Sequence, residues 1–418
     1  MIIAAIVLLV LALIGAPLFS IIAASAMLGF QREELPLLLA AFDFYGIAEM
    51  PILLAIPLFT FAGFVLGEGG APQRLVRLSR ALLGWLPGGL GMLAIAVCAL
   101  FTAFTGASGV TIIALGALFV PALAQAGYAE RFNLGLITAS GSLGLLFAPS
   151  LPLILYGVVA EQPVDELFLA GILPGTLMVL TLCVFCYYRN RHLRVESDEI
   201  SWREIGQALR ASKWELPLPI VVLGGIYSGY FAVSEAAAVT TLYVVLVEFV
   251  FLREVPWRRL PGVMRESMVL VGAIFLILGM SLASTTYMID IGVPQRLFEL
   301  VSQYVQTQTG FLIALLLFLL VLGAILDIFS AIVLVVPLML PVAMQFGIDP
   351  IHLGIVFLAA MELGYLTPPV GLNLFISSHR FGKDITEIYW ATLPFLIVLL
   401  VSVVIIAFWP ALSLVLIE

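Results

Sequence analysis

Phe104-Thr105-Gly106-Ala107-Ser108-Gly109-Val110-Thr111 is a knot of small and hydroxyl-bearing residues between two apolar runs, 88–104 and 110–126. A second knot follows at Ser140-Gly141-Ser142-Leu143-Gly144-Leu145-Leu146-Phe147-Ala148-Pro149-Ser150. Lipid offers the backbone no hydrogen bonds, so irregular chain survives at membrane depth only where protein or a water-filled cavity satisfies it. Two adjacent interruptions therefore predict a buried site rather than surface loops. A like pair recurs near the other end, at Ile325-Leu326-Asp327-Ile328-Phe329-Ser330 and Gly364-Tyr365-Leu366-Thr367-Pro368-Pro369-Val370-Gly371.

The membrane setting follows from composition. Of 418 residues, 63% are hydrophobic and only 11% charged, and the mean hydropathy is +1.19. Many windows exceed the roughly 20 apolar residues that cross a bilayer, and about nine to twelve hydrophobic elements are expected. Alternation of the barrel type is absent, so the spans are helical. Met1 to Phe30 is apolar from its second residue and lacks a cationic leader, which predicts a retained span rather than a signal peptide. The net charge of −8 is scattered over short loops, which gives no acidic tail and no nucleic-acid partner. Cys183-Val184-Phe185-Cys186 has CxxC spacing but lies in an apolar run without a second ligand pair, so it reads as helix packing.

The paired runs 88–104 with 110–126, and 311–325 with 329–346, are short and joined by a few residues, as in re-entrant hairpins. Segments 134–159 and 352–376 are long but interrupted by glycine and proline, as in discontinuous helices. An internal repeat relates the two sets. Ala71-Pro72-Gln73-Arg74-Leu75 recurs as Val293-Pro294-Gln295-Arg296-Leu297, and Val120-Pro121-Ala122 with Gly127 recurs as Leu340-Pro341-Val342 with Gly347. Leu134-Gly135 matches Leu353-Gly354, Leu143-Gly144 matches Leu363-Gly364, Pro149 matches Pro368, and Asp165 with Pro174 matches Asp384 with Pro394. The order is kept throughout, which chance does not produce.

Basic clusters at Arg74/Arg77/Arg80, Arg189/Arg191/Arg194, Arg253/Arg258/Arg259/Arg265 and Arg380/Lys383 all fall in the cytoplasm if the two hairpins are re-entrant, with Glu418 outside. The hairpins then enter from opposite faces. The expected fold is an all-α polytopic membrane protein, an inverted-repeat ion-transporter-like architecture with two re-entrant hairpins and two discontinuous helices. Residues 72–83 place Leu75, Leu78 and Leu82 on one face, and the repeat mate groups Leu297, Leu300, Val301 and Tyr304; both read as interfacial amphipathic helices. Five units result: 1–87 and 216–310 as scaffold spans each ending in an amphipathic helix, 88–188 and 311–418 as hairpin, broken helix and span, and 189–215 as a polar cytoplasmic linker.

A broken helix presents carbonyl oxygens at one half-end and N–H groups at the other, suited to a hard cation and a carboxylate respectively. The first site offers the hydroxyls of Thr105, Ser108, Thr111, Ser140 and Ser142 and backbone freed by Gly106, Gly109, Gly141 and Gly144, with no ionisable side chain. That favours a cation such as Na+ on neutral oxygens over a proton relay. The second site carries Asp327, Ser330, Glu362, Thr367 and Asn373 around Pro368, Pro369 and Gly371. A mid-membrane carboxylate costs roughly 2.5–3.5 kcal/mol, which makes Asp327 and Glu362 either functional groups or hydrogen-bonded anchors. Glu235 opens a span and reads as a dipole-favoured first-turn acid.

Gly106-Ala107-Ser108-Gly109 also fits the GxSG of intramembrane serine proteases, which need a histidine base. His192 and His379 read as loop residues and His352 as a span edge, and a protease leaves the repeat unexplained. Walker A, HExxH and GxGxxG patterns are absent. A channel or another carrier type is the remaining alternative.

Taken together, Phe-Thr-Gly-Ala-Ser-Gly at 104–109, Ser-Glu-Ala-Ala-Ala at 234–238, Pro-Gln-Arg-Leu at 294–297 and Leu-Thr-Pro-Pro-Val-Gly-Leu-Asn at 366–373 resemble the large membrane subunit of TRAP (tripartite ATP-independent periplasmic) transporters over essentially the whole chain. The resemblance implies a non-enzymatic, elevator-type, Na+-driven importer of a small carboxylate in the bacterial inner membrane. It implies a periplasmic substrate-binding protein and a small four-helix membrane subunit, here a separate polypeptide, as partners. The Na+ sites it implies are Gly106, Ser108, Gly109, Ser140 and Gly144 at one junction and Asp327, Ser330, Thr367, Pro368 and Gly371 at the other. Substrate contacts are expected at Ser108, Ser150, Thr367 and Asn373.

Overall fold

The small-residue knot at 104–111 ends one helix and starts another. Gly106, at φ +64°, takes the left-handed conformation that stops Gly89–Thr105, and extended Ala107 starts Ser108–Gln125. This is the first hairpin. The second is built from Gln308–Gly323 and Ile328–Gln345, with Asp327 capping the second arm. The structure, a computed structural model, describes residues 6–8, 10, 11, 14–83, 88–193 and 202–417. Arg194, part of the 189–215 linker, the first residues of the opening span and Glu418 lie outside that set. Among the described residues, seven helices are long and apolar enough to cross a membrane, or up to nine if each bent pair is one span.

The two discontinuous helices are present. The first runs Glu130–Ser140, breaks through a short 3-10 turn at Leu143–Leu146, and resumes as Leu151–Val159. The second runs Pro350–Gly364 and resumes as Leu372–Phe381. Cis peptide bonds stand at Ala148–Pro149 and Pro368–Pro369, so the proline that corresponds to Pro149 in the structure is Pro369, one residue beyond the Pro368 expected.

Opposite sidedness is visible along one helix, Ile385–Phe408, whose 24 residues span about 36 Å at 1.5 Å per residue. Just before its first turn, Lys383 pairs with Glu130 at 2.6 Å, next to the base of the first hairpin. At its far end the Ala407 carbonyl lies 3.3 Å from His352 Nε2, and at the second hairpin's base Gln308 donates to the Gly347 carbonyl at 3.0 Å. The hairpins are thus rooted at opposite ends of the same helix, as an inverted repeat requires.

The units are also crossed. The second arm of the first hairpin packs on the resumed half Leu372–Phe381, where a Cβ on Gly109 would lie 2.8 Å from Ile376 Cδ1. The second arm of the other hairpin packs on Leu151–Val159. Repeat-matched glycines make close approaches across the units. A Cβ on Gly135 would lie 2.1 Å from the Ala391 carbonyl oxygen, and one on Gly354 would lie 2.4 Å from Tyr156.

The amphipathic helices form at Ala71–Leu83 and Val293–Tyr304 but differ in cover. Leu75 and Leu78 are buried while Leu82 is exposed, so the predicted stripe is covered only in part. On the repeat mate, Leu300 and Tyr304 are exposed. The linker is not merely polar chain: it contains a helix, Trp202–Ala211, lying on Ala71–Leu83, with Ala208 buried. Arg74 is not a free cytoplasmic charge either. It meets Glu215 at 2.6 Å, Glu248 at 3.1 Å, and Glu254. Glu248 is wholly buried in a π-helical stretch, Leu246–Phe251, that continues Val233–Val245.

Candidate functional site

At the first junction the hairpin tip is set into the break. A Cβ on Gly106 would lie 2.4 Å from Leu151 Cγ, at the start of the resumed half-helix. A Cβ on Gly144 would lie 2.2 Å from the Ala99 carbonyl oxygen and 2.5 Å from the Ala103 nitrogen, so the break touches the hairpin's first arm backbone to backbone. Thr102 ties them together: its hydroxyl donates to the Gly141 carbonyl at 2.8 Å and lies 2.7 Å from the Thr111 hydroxyl. Ser108 is buried at the start of the second arm. The Ser140 hydroxyl donates to Leu136 of its own helix at 2.7 Å. Thr105 Oγ1 and Ser150 Oγ are buried and have no hydrogen-bond partner among the described residues. An unsatisfied buried hydroxyl is costly, and its presence beside a helix break marks a place that a ligand oxygen or cation would complete.

At the second junction Gly364 and Gly323 meet Cα to Cα, so close that a Cβ on Gly364 would lie 2.5 Å from Gly323 Cα. Gly364 and Gly144 thus do the same job in the two repeats. The Gly371 amide donates to the Ala324 carbonyl at 3.0 Å, and the Tyr365 hydroxyl accepts the Ile328 amide at 2.7 Å. Gly371 is at φ +54°, and the Tyr365 and Thr367 carbonyl oxygens would each lie 2.9 Å from a Cβ there. Two carbonyls converging where only glycine fits form a cradle with the chemistry of a hard-cation site.

Asp327 is committed locally. Its Oδ1 accepts the Phe329 and Ser330 amides at 3.0 Å, and its Oδ2 accepts the Ser330 hydroxyl. The Thr367 hydroxyl donates to the Leu363 carbonyl at 2.9 Å. Pro368 is exposed and lacks an N–H for the helix ladder. Glu362 is buried and neither of its carboxylate oxygens has a partner among the described residues. Asn373 reaches across to the first unit: its amide donates to the Thr138 carbonyl at 3.3 Å, while its Oδ1 is unpartnered.

Sequence reasoning passed over Thr102, Tyr365 and Thr138. Each looks like an ordinary residue of an apolar run, and only its position opposite a break reveals what it does. The histidines also need correction. His379 lies in the helix Leu372–Phe381 rather than a loop, whereas His352 is at a span edge as expected, in the first turn of Pro350–Gly364 and buried against Ser413 and Ala407. Among the described residues none of the three hydrogen-bonds Ser108. Glu235 has the structural role expected, accepting the Ala232 amide at 2.9 Å. No group of three or more His, Cys, Asp or Glu among the described residues could hold a metal ion.

Inverted hairpins set into broken helices define a multi-pass membrane permease rather than an enzyme. The comparisons agree. The model of the family described as "Tripartite ATP-independent periplasmic transporter, DctM component" matches residues 2–412, and the chain belongs to that family. It is similar to the C4-dicarboxylate TRAP transporter large permease protein DctM of Pseudomonas aeruginosa, 35% identical over 375 residues covering 90% of this chain and 88% of the relative. It is also similar to the isethionate TRAP transporter permease protein DctMQ of Oleidesulfovibrio alaskensis, 31% identical, covering 89% of this chain and 59% of that protein. The solved structure of the Alcanivorax borkumensis YdaH transporter shares the fold at a TM-score of 0.56 and 15% identity, over 89% of this chain and 87% of that one.

Proposed function

We propose that the chain is the substrate-moving permease of a Na+-coupled uptake system for a small organic acid, working as an elevator in the bacterial inner membrane. The observation that carries this reading is the pair of matched junctions, each with a hairpin tip set into an unwound helix, rooted at opposite ends of Ile385–Phe408. Residues 88–188 and 311–418 are crossed through Gly109, Gly135, Gly354 and Asn373, which suits a single moving body. Residues 1–87 and 216–310 form the fixed frame, and 189–215 joins the halves on the cytoplasmic face. The frame meets the first tip at Gly63, where a Cβ would lie 2.6 Å from both the Phe104 carbonyl oxygen and Thr105 Cα. This contact has to part for the body to move.

Na+ is cargo in this scheme. At the first junction it is held by backbone near Gly106, Gly109 and Gly144 with the hydroxyls of Ser108 and Ser140. At the second it is held by the carbonyls that converge on Gly371, with Thr367 and Pro368 shaping the break, Asp327 supplying negative charge at the tip and Ser330 a hydroxyl beside it. The substrate's anionic group is met by Ser108, Ser150, Thr367 and Asn373, of which Ser150 carries a hydroxyl with no partner among the described residues and Asn373 offers its amide N–H. The relatives named for C4-dicarboxylates and isethionate place small organic anions within the family's range. A periplasmic binding protein delivers the substrate and a small membrane subunit completes the assembly, in keeping with the tripartite family description.

The test is uptake into proteoliposomes holding this chain, the small subunit and the cognate binding protein. Uptake is expected to need an inward Na+ gradient and to stop when Na+ is removed from both sides. Uptake that persists without Na+ and stops when a proton gradient is collapsed overturns the coupling.

A further inference from the structure

Away from both junctions, the start of Glu130–Ser140, the end of Val164–Asn190 and the first turns of Ile385–Phe408 enclose a cleft of about 520 Å³. That volume falls within the roughly 300–1,000 Å³ of sites that bury small-molecule ligands. Its floor is aromatic: Phe185 and Phe395 lie 5.1 Å apart between ring centroids, and Phe132 lies 5.2 Å from Phe395. Its rim carries the cations Arg131 and Arg189, with His192 beside them.

The arginines have no acidic partner among the described residues. Glu130 and Glu387, on two of the lining helices, are already held, since Lys383 pairs with Glu130 at 2.6 Å and with Glu387 at 3.9 Å. Arg191 is turned aside over the Tyr188 ring at 6.0 Å. Trp390 flanks the cleft and is 68% exposed. Exposed indoles with one apolar and one polar edge collect at the headgroup level of a bilayer. Guanidinium forks unmatched among the described residues, above an apolar floor and at the height marked by a tryptophan, suit a phosphate with a hydrocarbon tail.

We propose that this cleft binds an anionic phospholipid, its phosphate between Arg131 and Arg189 and an acyl chain on the Phe132–Phe185–Phe395 floor. The lipid bridges three elements that also meet here through the aromatic cluster, the Gly135–Ala391 approach and the Lys383–Glu130 pair. It stands apart from Na+ and substrate, so failure of the uptake reading leaves it intact, and the reverse.

Native mass spectrometry of the unmodified chain, released from nanodiscs of either phosphatidylglycerol or phosphatidylcholine, tests it directly. One retained phosphatidylglycerol is expected, with little phosphatidylcholine. Retention falls roughly fivefold for each of Arg131→Gln and Arg189→Gln, and roughly 25-fold for the pair. Both side chains are solvent-exposed, so the variants are expected to melt like the parent in lipid-free detergent. A second arm compares thermal stabilisation by inorganic phosphate with that by short-chain phosphatidylglycerol. Equal retention of both lipids, retention unchanged in the double variant, or full stabilisation by phosphate alone overturns the proposal.

Discussion

The two junctions share a backbone plan and differ in nearly everything else. The first is closed: its tip is covered by the helix carrying Gly63, and within its break only Phe147 and Ala148 are partly exposed. It is lined by neutral hydroxyls. The second is open: Ile325 at its tip is 61% exposed, and Pro368, Pro369 and Val370 face outward. It carries Asp327 and Glu362. Repetition has preserved the places where backbone must touch backbone, Gly144 and Gly364, while letting charge and access diverge. The geometry that makes a tip fit a break is therefore separate from the chemistry that decides what binds there.

The largest way to break this comparison is Glu362→Gln. An unpartnered buried carboxylate is expensive, so the amide is expected to stabilise the protein by up to about 3 kcal/mol in thermal unfolding while lowering uptake. A destabilised variant means Glu362 has a counter-charge, and the second junction is then no more exceptional than the first. Next come the matched glycines. Gly144→Ala and Gly364→Ala each force a methyl into backbone, and over-packing of about 1–3 kcal/mol predicts uptake about 10- to 100-fold lower for both. Gly272→Ala, with nothing within 4 Å, is the control expected to match wild type. Tolerance at Gly364 alone would show slack confined to the open junction.

Asp327→Asn keeps acceptors for the cap but removes the charge. With roughly 1.5–3 kcal/mol in a hydrogen bond to a charged group, Na+ titration of uptake is expected to shift about tenfold or more toward weaker affinity. No shift would reduce Asp327 to a helix cap, and the charge difference between the junctions would lose its meaning. The smallest effect separates two serines of the first junction. Ser150→Ala removes an unpartnered hydroxyl and is expected to raise the half-saturating concentration of substrate about threefold to tenfold. Ser140→Ala removes a hydroxyl already bonded to Leu136 and is expected to stay near wild type.

The breaks were legible because glycine and proline are rare enough in apolar runs to mark where the ladder fails, and the repeat showed which interruptions correspond. Opposite sidedness followed from the arginine and lysine count, and the Lys383–Glu130 and His352–Ala407 contacts fit it. What stayed hidden was whatever depends on distant partners. Arg74 looked like one basic residue among three because its acids lie 141 to 180 residues further along. Trp202–Ala211 read as linker because it is short and polar on average, although Trp202, Ile205, Ala208 and Leu209 recur at helical spacing and did mark an amphipathic helix. Asp327 was recognised as significant, but its commitment to the Ser330 turn depends on rotamer and backbone direction that no spacing encodes.

The Arg74 cluster also bears on biogenesis. Its acidic partners, Glu215, Glu248 and Glu254, belong to the later half of the polypeptide. Glu254 emerges from the ribosome 180 residues after Arg74, a delay of roughly 10–40 s at about 5–20 residues per second. Through that interval the nascent amphipathic helix is cationic at the membrane surface, attracted to acidic headgroups, and only later neutralised by its own chain.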